Sequence, residues 1–214
     1  MSDIFHEVDE DLRRENYAKL WARYGKYVIA LAVLLVVATA GVTQWRQYQL
    51  HQREAEGARY VAALNLARQG KDQDAATAFA AIARQAGGGH ATLARLEEAA
   101  LKAHAGDSAG AVAAYTALAA DGSVDPVYRD VATLLAAQYG LAGGDPKAII
   151  AKLAPLTSAD NPWHPSALEL TALAELKAGD KAAARATYQR IADDLAAPQG
   201  LRGRATEMLT ALAD

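Results

Sequence analysis

Gly106-Asp107-Ser108-Ala109-Gly110 matches G-x-S-x-G, the pattern that makes a serine nucleophilic in hydrolases. That chemistry needs a strained strand-to-helix turn. Here the pentapeptide falls on one of four similar Gly-Asp turns in a chain with no strand signal before it, so a structural turn is the better reading. The five histidines, His6, His51, His90, His104 and His164, are scattered and form no H-E-x-x-H or short-spaced pair. Surface or turn positions suit them better than a metal site or a catalytic base. Gly87-Gly88-Gly89 lacks both a preceding strand and a following Lys-Ser/Thr, so it reads as a connector rather than a phosphate cradle. Cysteine is absent, which excludes thiolate catalysis, disulfides and Cys-ligated metals. With 22 Lys+Arg against 25 Asp+Glu, the net charge of −3 gives no basic footprint for nucleic acid. These residues predict no enzyme, no cofactor, no metal and no small-molecule substrate.

The elements around them are helical. Alanine fills 53 of 214 positions, while Val, Ile, Thr and Phe are sparse outside one segment, which points to an all-α protein. A breaking turn recurs at Gly70, Gly106, Gly144 and Gly179, spaced 36, 38 and 35 residues apart. An alanine follows each turn (Ala75, Ala111, Ala148, Ala184), and another precedes it by twelve residues (Ala63, Ala99, Ala136, Ala172). In three units an aromatic and a branched residue complete one helical face: Ala75/Phe79/Ile82, Ala111/Tyr115/Leu118 and Ala184/Tyr188/Ile191. The third unit has Lys152 at the aromatic position. Gly is expected in the left-handed position that ends each first helix, and Asp as the cap of each second one. Such hairpins cannot bury their apolar faces singly and must stack. The expected hairpins are 55–86, 91–120, 126–157 and 163–195, closed by a capping helix from Gln199 to Ala213.

One segment breaks this composition. Tyr27 to Trp45 carries no charge between Lys26 and Arg46 and is flanked by Trp21, Tyr24 and Tyr27 on one side and Trp45 and Tyr48 on the other. At about 1.5 Å per residue it reaches roughly 28 Å, which fits a bilayer core. Ala38-Thr39-Ala40 offers a signal-peptidase pattern, but the 26 residues before the apolar run hold six acids, unlike a short basic leader. An uncleaved anchor is therefore expected. Five Lys/Arg precede the span (Arg13, Arg14, Lys19, Arg23, Lys26) and three follow it closely (Arg46, Arg53, Arg59), which predicts a cytoplasmic N-terminus. The opposite topology stays open on these counts. The expected division is a cytoplasmic segment 1–26, a transmembrane helix 27–45, a helical or irregular linker 46–54, and a repeat domain 55–214. With no Pro or Gly cluster between Trp45 and Gly57, the anchor helix can run into the first repeat. Ile4, Val8 and Leu12 have amphipathic spacing within an acid-rich start, and Arg13 to Lys26 suit anionic headgroups.

The A-x-x-x-[FY] core and the small first-helix residue resemble the tetratricopeptide repeat, in a degenerate form without its usual Trp and Leu-Gly. Leu12-Arg13-Arg14-Glu15, Leu20-Trp21-Ala22-Arg23-Tyr24-Gly25-Lys26 and Trp45-Arg46-Gln47-Tyr48 sharpen the likeness. With the acidic tail, the span and the weak repeats, they resemble the ancillary subunit family of the SecYEG translocon. That resemblance implies a bacterial inner-membrane protein with a periplasmic tetratricopeptide-like domain. It also implies association with SecYEG and with a membrane-anchored periplasmic chaperone of the prolyl-isomerase type. A scaffold for cell-envelope assembly or cell division has the same physics and stands as the alternative. The first helices would line the concave face, where Tyr60, Arg68, His104, Asp130, Glu169 and Lys177 are the candidate protein-binding residues.

Overall fold

The computed structural model describes residues 3–213, with side chains from residue 21 onward except those of residues 28 and 32. The side chains of Ile4, Val8, Leu12, Arg13, Arg14 and Lys19 lie outside the described residues. The described chain is all helical and divides into two compact units, residues 1–55 and 56–214.

The first unit is the long part of helix α1 (Asp3–Arg68). The described large apolar side chains from Ile29 to Val37 are more than half exposed and form a continuous apolar surface. By length and composition this helix is a candidate membrane span. Its two described threonines within and after the apolar run are satisfied inside the helix. Thr39 donates to the carbonyls of Leu35 and Val36 at 2.9 Å, and Thr43 donates to that of Thr39 at 2.7 Å. Exposed aromatics stand at both ends of the run: Trp21, Tyr24 and Tyr27 before it, Trp45 and Tyr48 after it.

The second unit is a stack of helical hairpins. The end of α1, from residue 56, pairs with α2 (Asp72–Gln85), and α3 (Gly88–His104) pairs with α4 (Ser108–Ala119). Then come α5 (Pro126–Gly140) with α6 (Pro146–Leu153) and a 3-10 turn (Ala154–Thr157), α7 (His164–Lys177) with α8 (Lys181–Asp193), and α9 (Gln199–Ala211). Gly70, Gly106 and Gly179 have φ of 74°, 85° and 84°, as expected. At each, the following residue donates back to the carbonyl five residues earlier, closing the first helix with a Schellman motif. Asp107, Asp145 and Asp180 cap the second helices by accepting from Gly110, Lys147 and Ala183 backbone N–H groups at 2.8 to 3.0 Å. The first turn departs from this rule. Lys71 occupies the cap position without a side-chain bond, and Asp72 is already inside α2.

The small residues let paired helices approach, and each aromatic fills the seam to the next hairpin. Phe79 of α2 is buried with Ala63, Ala94 and Leu101; Tyr115 of α4 with Ala99, Ala132 and Ala136; Tyr188 of α8 with Ala172, Leu201 and Ala205. Tyr115 lies flat on Tyr139 of α5, with ring centroids 5.9 Å apart. The third hairpin corrects the expected register. Ala148 and Lys152 are exposed, and Ile149, Leu153 and Leu156 are buried instead. These stand five, nine and twelve residues after Gly144, as Ala75, Phe79 and Ile82 do after Gly70. Distance from the turn sets the register, and the lysine never occupied the plug position.

Because Leu153 is the plug of the third hairpin, Leu153→Ala is expected to lower the stability of the repeat unit by about 2–5 kcal/mol. Lys152→Ala should stay within about 0.5 kcal/mol of the parent. Urea unfolding followed by circular dichroism distinguishes the two, and equal effects would put the buried register back on Ala148 and Lys152.

Candidate functional site

First helices approach one another directly across hairpins, α3 with α5, α5 with α7 and α7 with α9. Each second helix packs between its own first helix and the next one. The first helices therefore form one continuous face, and the six candidate residues are all on them.

Four of the six are engaged in joints between hairpins. Tyr60 packs its ring edge against Phe79 at 5.5 Å and donates its hydroxyl to Glu97 of α3 at 3.3 Å. Asp130 of α5 accepts from Asn161, in the connection to α7, at 3.1 Å. Glu169 of α7 takes a two-pronged bond from Arg204 of α9, at 2.8 and 3.0 Å. Lys177 at the end of α7 donates to the carbonyls of Leu141 and Gly144, at 2.5 and 3.4 Å. Arg68 and His104 are exposed in the last turns of α1 and α3, at equivalent places beside the hairpin turn. The fold brings Glu169 next to a cavity; it gathers the others along the face rather than at one point.

That cavity, of about 250 Å³, lies between α5 and α7. Val131, Leu135 and Leu170 make its apolar wall, Trp163 closes one end, and Gln138, Ser166 and Glu169 supply polar edges. Sequence reasoning named only Glu169 here. Trp163 precedes α7 and was read as a helix start, and its position against α5 depends on the loop that Asn161 holds. Asn161 accepts from the Trp163 backbone N–H at 2.8 Å while donating to Asp130. The signal available was the large aromatic directly after Asn161-Pro162, where Val127 follows Asp125-Pro126 in the preceding hairpin.

A second cavity, of about 570 Å³, lies where the start of α4 meets the end of α5, between Ser108, Val112, Tyr139, Gly140 and Gly144. The G-x-S-x-G stretch borders it. Ser108 is the first residue of α4, after a turn between helices, and no histidine or carboxylate is among the lining residues. The neighbouring Asp107 is occupied as the helix cap. Among the described residues, no group of three or more His, Cys, Asp and Glu could hold a metal.

Electrostatics strengthens the joints. Burial, with Glu97 nearby, raises the Tyr60 phenol to about 12. Burial, with Tyr139 and Glu97, does the same to Tyr115. Asp121, between α4 and α5, accepts from the Ser123 hydroxyl at 2.6 Å and from Arg95 of α3 at 2.7 Å. These bonds hold its carboxyl down at about 2.

Residues 18–213 match the family model of the tetratricopeptide repeat-like domain. No curated protein matches the chain.

Tyr60 and Tyr115 favour the neutral phenol in the folded state. The stability this contributes is whole below the ordinary tyrosine value of about 10 and is lost as pH rises towards about 12. In a spectrophotometric titration, Tyr60→Phe and Tyr115→Phe should each remove a late-ionising phenol. Loss of an ordinary phenol near pH 10 in both variants would contradict the packing described.

Proposed function

The chain belongs to the tetratricopeptide repeat-like domain family, and on that basis we propose that it is a membrane-anchored periplasmic adaptor of protein export. Family membership and the helical stack make the second unit a scaffold for protein–protein interaction. Such an array holds partners rather than transforming them. The observation that carries the finer reading is the coupling, in one chain, of an exposed apolar helix with a repeat unit. A receiver of emerging chains needs both a tether at the membrane and a face for extended polypeptide.

In this reading residues 1–26 are cytoplasmic, 27–45 span the inner membrane, 46–54 link, and 55–214 face the periplasm. The excess of Lys and Arg before the span supports that orientation, five against three. The juxtamembrane residues Leu20-Trp21-Ala22-Arg23-Tyr24-Gly25-Lys26 and Trp45-Arg46-Gln47-Tyr48 support the SecYEG translocon and a membrane-anchored chaperone as partners. The partner lies along the first helices. Arg68 and His104 are free to meet it, the α5–α7 cavity takes an apolar side chain, and Tyr60, Asp130, Glu169 and Lys177 hold the surface in shape.

A reporter fused after Asp214 should be active only in the periplasm, and a cytoplasmic signal would reverse the topology. Gentle detergent extraction should recover translocon subunits with the tagged protein, and Leu170→Asp should reduce that recovery by roughly tenfold, the effect of about 1.4 kcal/mol. Recovery of cell-wall synthesis enzymes in place of translocon subunits would make the protein an envelope-assembly scaffold instead.

A further inference from the structure

The repeats are not equally tied to one another. In the hairpins of α3–α4 and α7–α8, the two helices pack extensively; α6 packs more on the following α7 than on its own partner α5. Three features of the sequence cause this. First, α6 runs only from Pro146 to Leu153 and passes into a 3-10 turn at Pro155, which has no N–H to continue the helix. Second, its plug is Leu153, where the other hairpins bury Phe79, Tyr115 and Tyr188. Third, the turn before it lacks the Schellman closure of the other three and has Gly143-Gly144, with the Gly144 N–H on the Gly140 carbonyl at 2.7 Å.

The consequence is poor filling around α5. The 250 Å³ cavity separates α5 from α7, and the 570 Å³ cavity lies against its C-terminal end. Across the seam, the side-chain hydrogen bonds among the described residues are Asn161 to Asp130 and Lys177 to the Leu141 and Gly144 carbonyls. On the N-terminal side, hairpins are locked by the Tyr60–Glu97 bond, the Arg95–Asp121 ion pair and the Tyr115–Tyr139 stack. On the C-terminal side, Arg204 clamps α9 to Glu169 of α7. Two well-tied blocks meet at one thinly tied boundary.

We propose that the seam between α5 and α6–α7 is a compliant joint at which the first-helix face adjusts its opening. Lys177 is its strap, and the α5–α7 cavity is the gap that changes. Cavities and short helices lower local opening free energies, whereas filled cores raise them. The inference rests on the repeat architecture alone and holds whichever protein is the partner.

Hydrogen exchange on the full chain in detergent micelles tests it. Amides of residues 149–157 should exchange roughly tenfold faster than those of 111–118 in α4 and 184–191 in α8. Lys177→Met should speed exchange further in residues 141–157 while leaving 72–119 unchanged. Equal protection in the three second helices overturns the joint. So does a Lys177→Met effect that is absent or spread through α2–α4.

Discussion

Everything in the repeat unit depends on one contact, the large side chain that each second helix pushes into the seam before the next hairpin. Paired helices rich in alanine come close but cover little apolar area, and the pair alone leaves one side unburied. Phe79, Tyr115 and Tyr188 supply that area, each fully buried between its own hairpin and the following helix. The neighbours then acquire fixed polar ties at their margins, such as Arg95 to Asp121 and Glu169 to Arg204. The first-helix face is a by-product of this order. First helices are held side by side because the second helices are wedged behind them.

The fold was largely legible because its signals are local and periodic. Alanine content, the recurring glycines and the faces of Phe79, Tyr115 and Tyr188 located the hairpins to within a few residues. The third hairpin was misplaced by one position because Ala148 was chosen for its type. Counting from Gly144 leads to Ile149 and Leu153, since the turn geometry and not residue identity fixes which side of α6 faces inward. The expectation of an identical turn also failed there. Two additional residues between α5 and α6 remove the need for a left-handed glycine, and close approach to the Gly140 carbonyl is what requires Gly144 instead.

The binding face was less legible. Alignment on small residues picks positions that all lie on first helices, but it does not separate residues that tie hairpins together from those that point free. Glu169 and Lys177 read the same in sequence as Arg68, since only the packed structure brings Arg204 and the Leu141 carbonyl within reach. Trp163 was invisible as a cavity wall because its place depends on a loop bond, Asn161 to Asp130, spanning 31 residues. Contacts of that kind have no periodic signature.

The terminal helix α9 has no hairpin partner, yet it buries Leu201 and Ala205 on Leu168, Ala172, Tyr188 and Ile191. A chain still being synthesised completes each hairpin only when the next one arrives, so its growing end always displays a raw hydrophobic surface. The thirteen residues of α9 cover that surface and have an outer side of Arg204, Thr206, Glu207 and Thr210 that water can wet. Removing α9 would leave Leu168, Ala172, Tyr188 and Ile191 with an uncovered apolar side, the raw edge of a stack that any matching helix could extend.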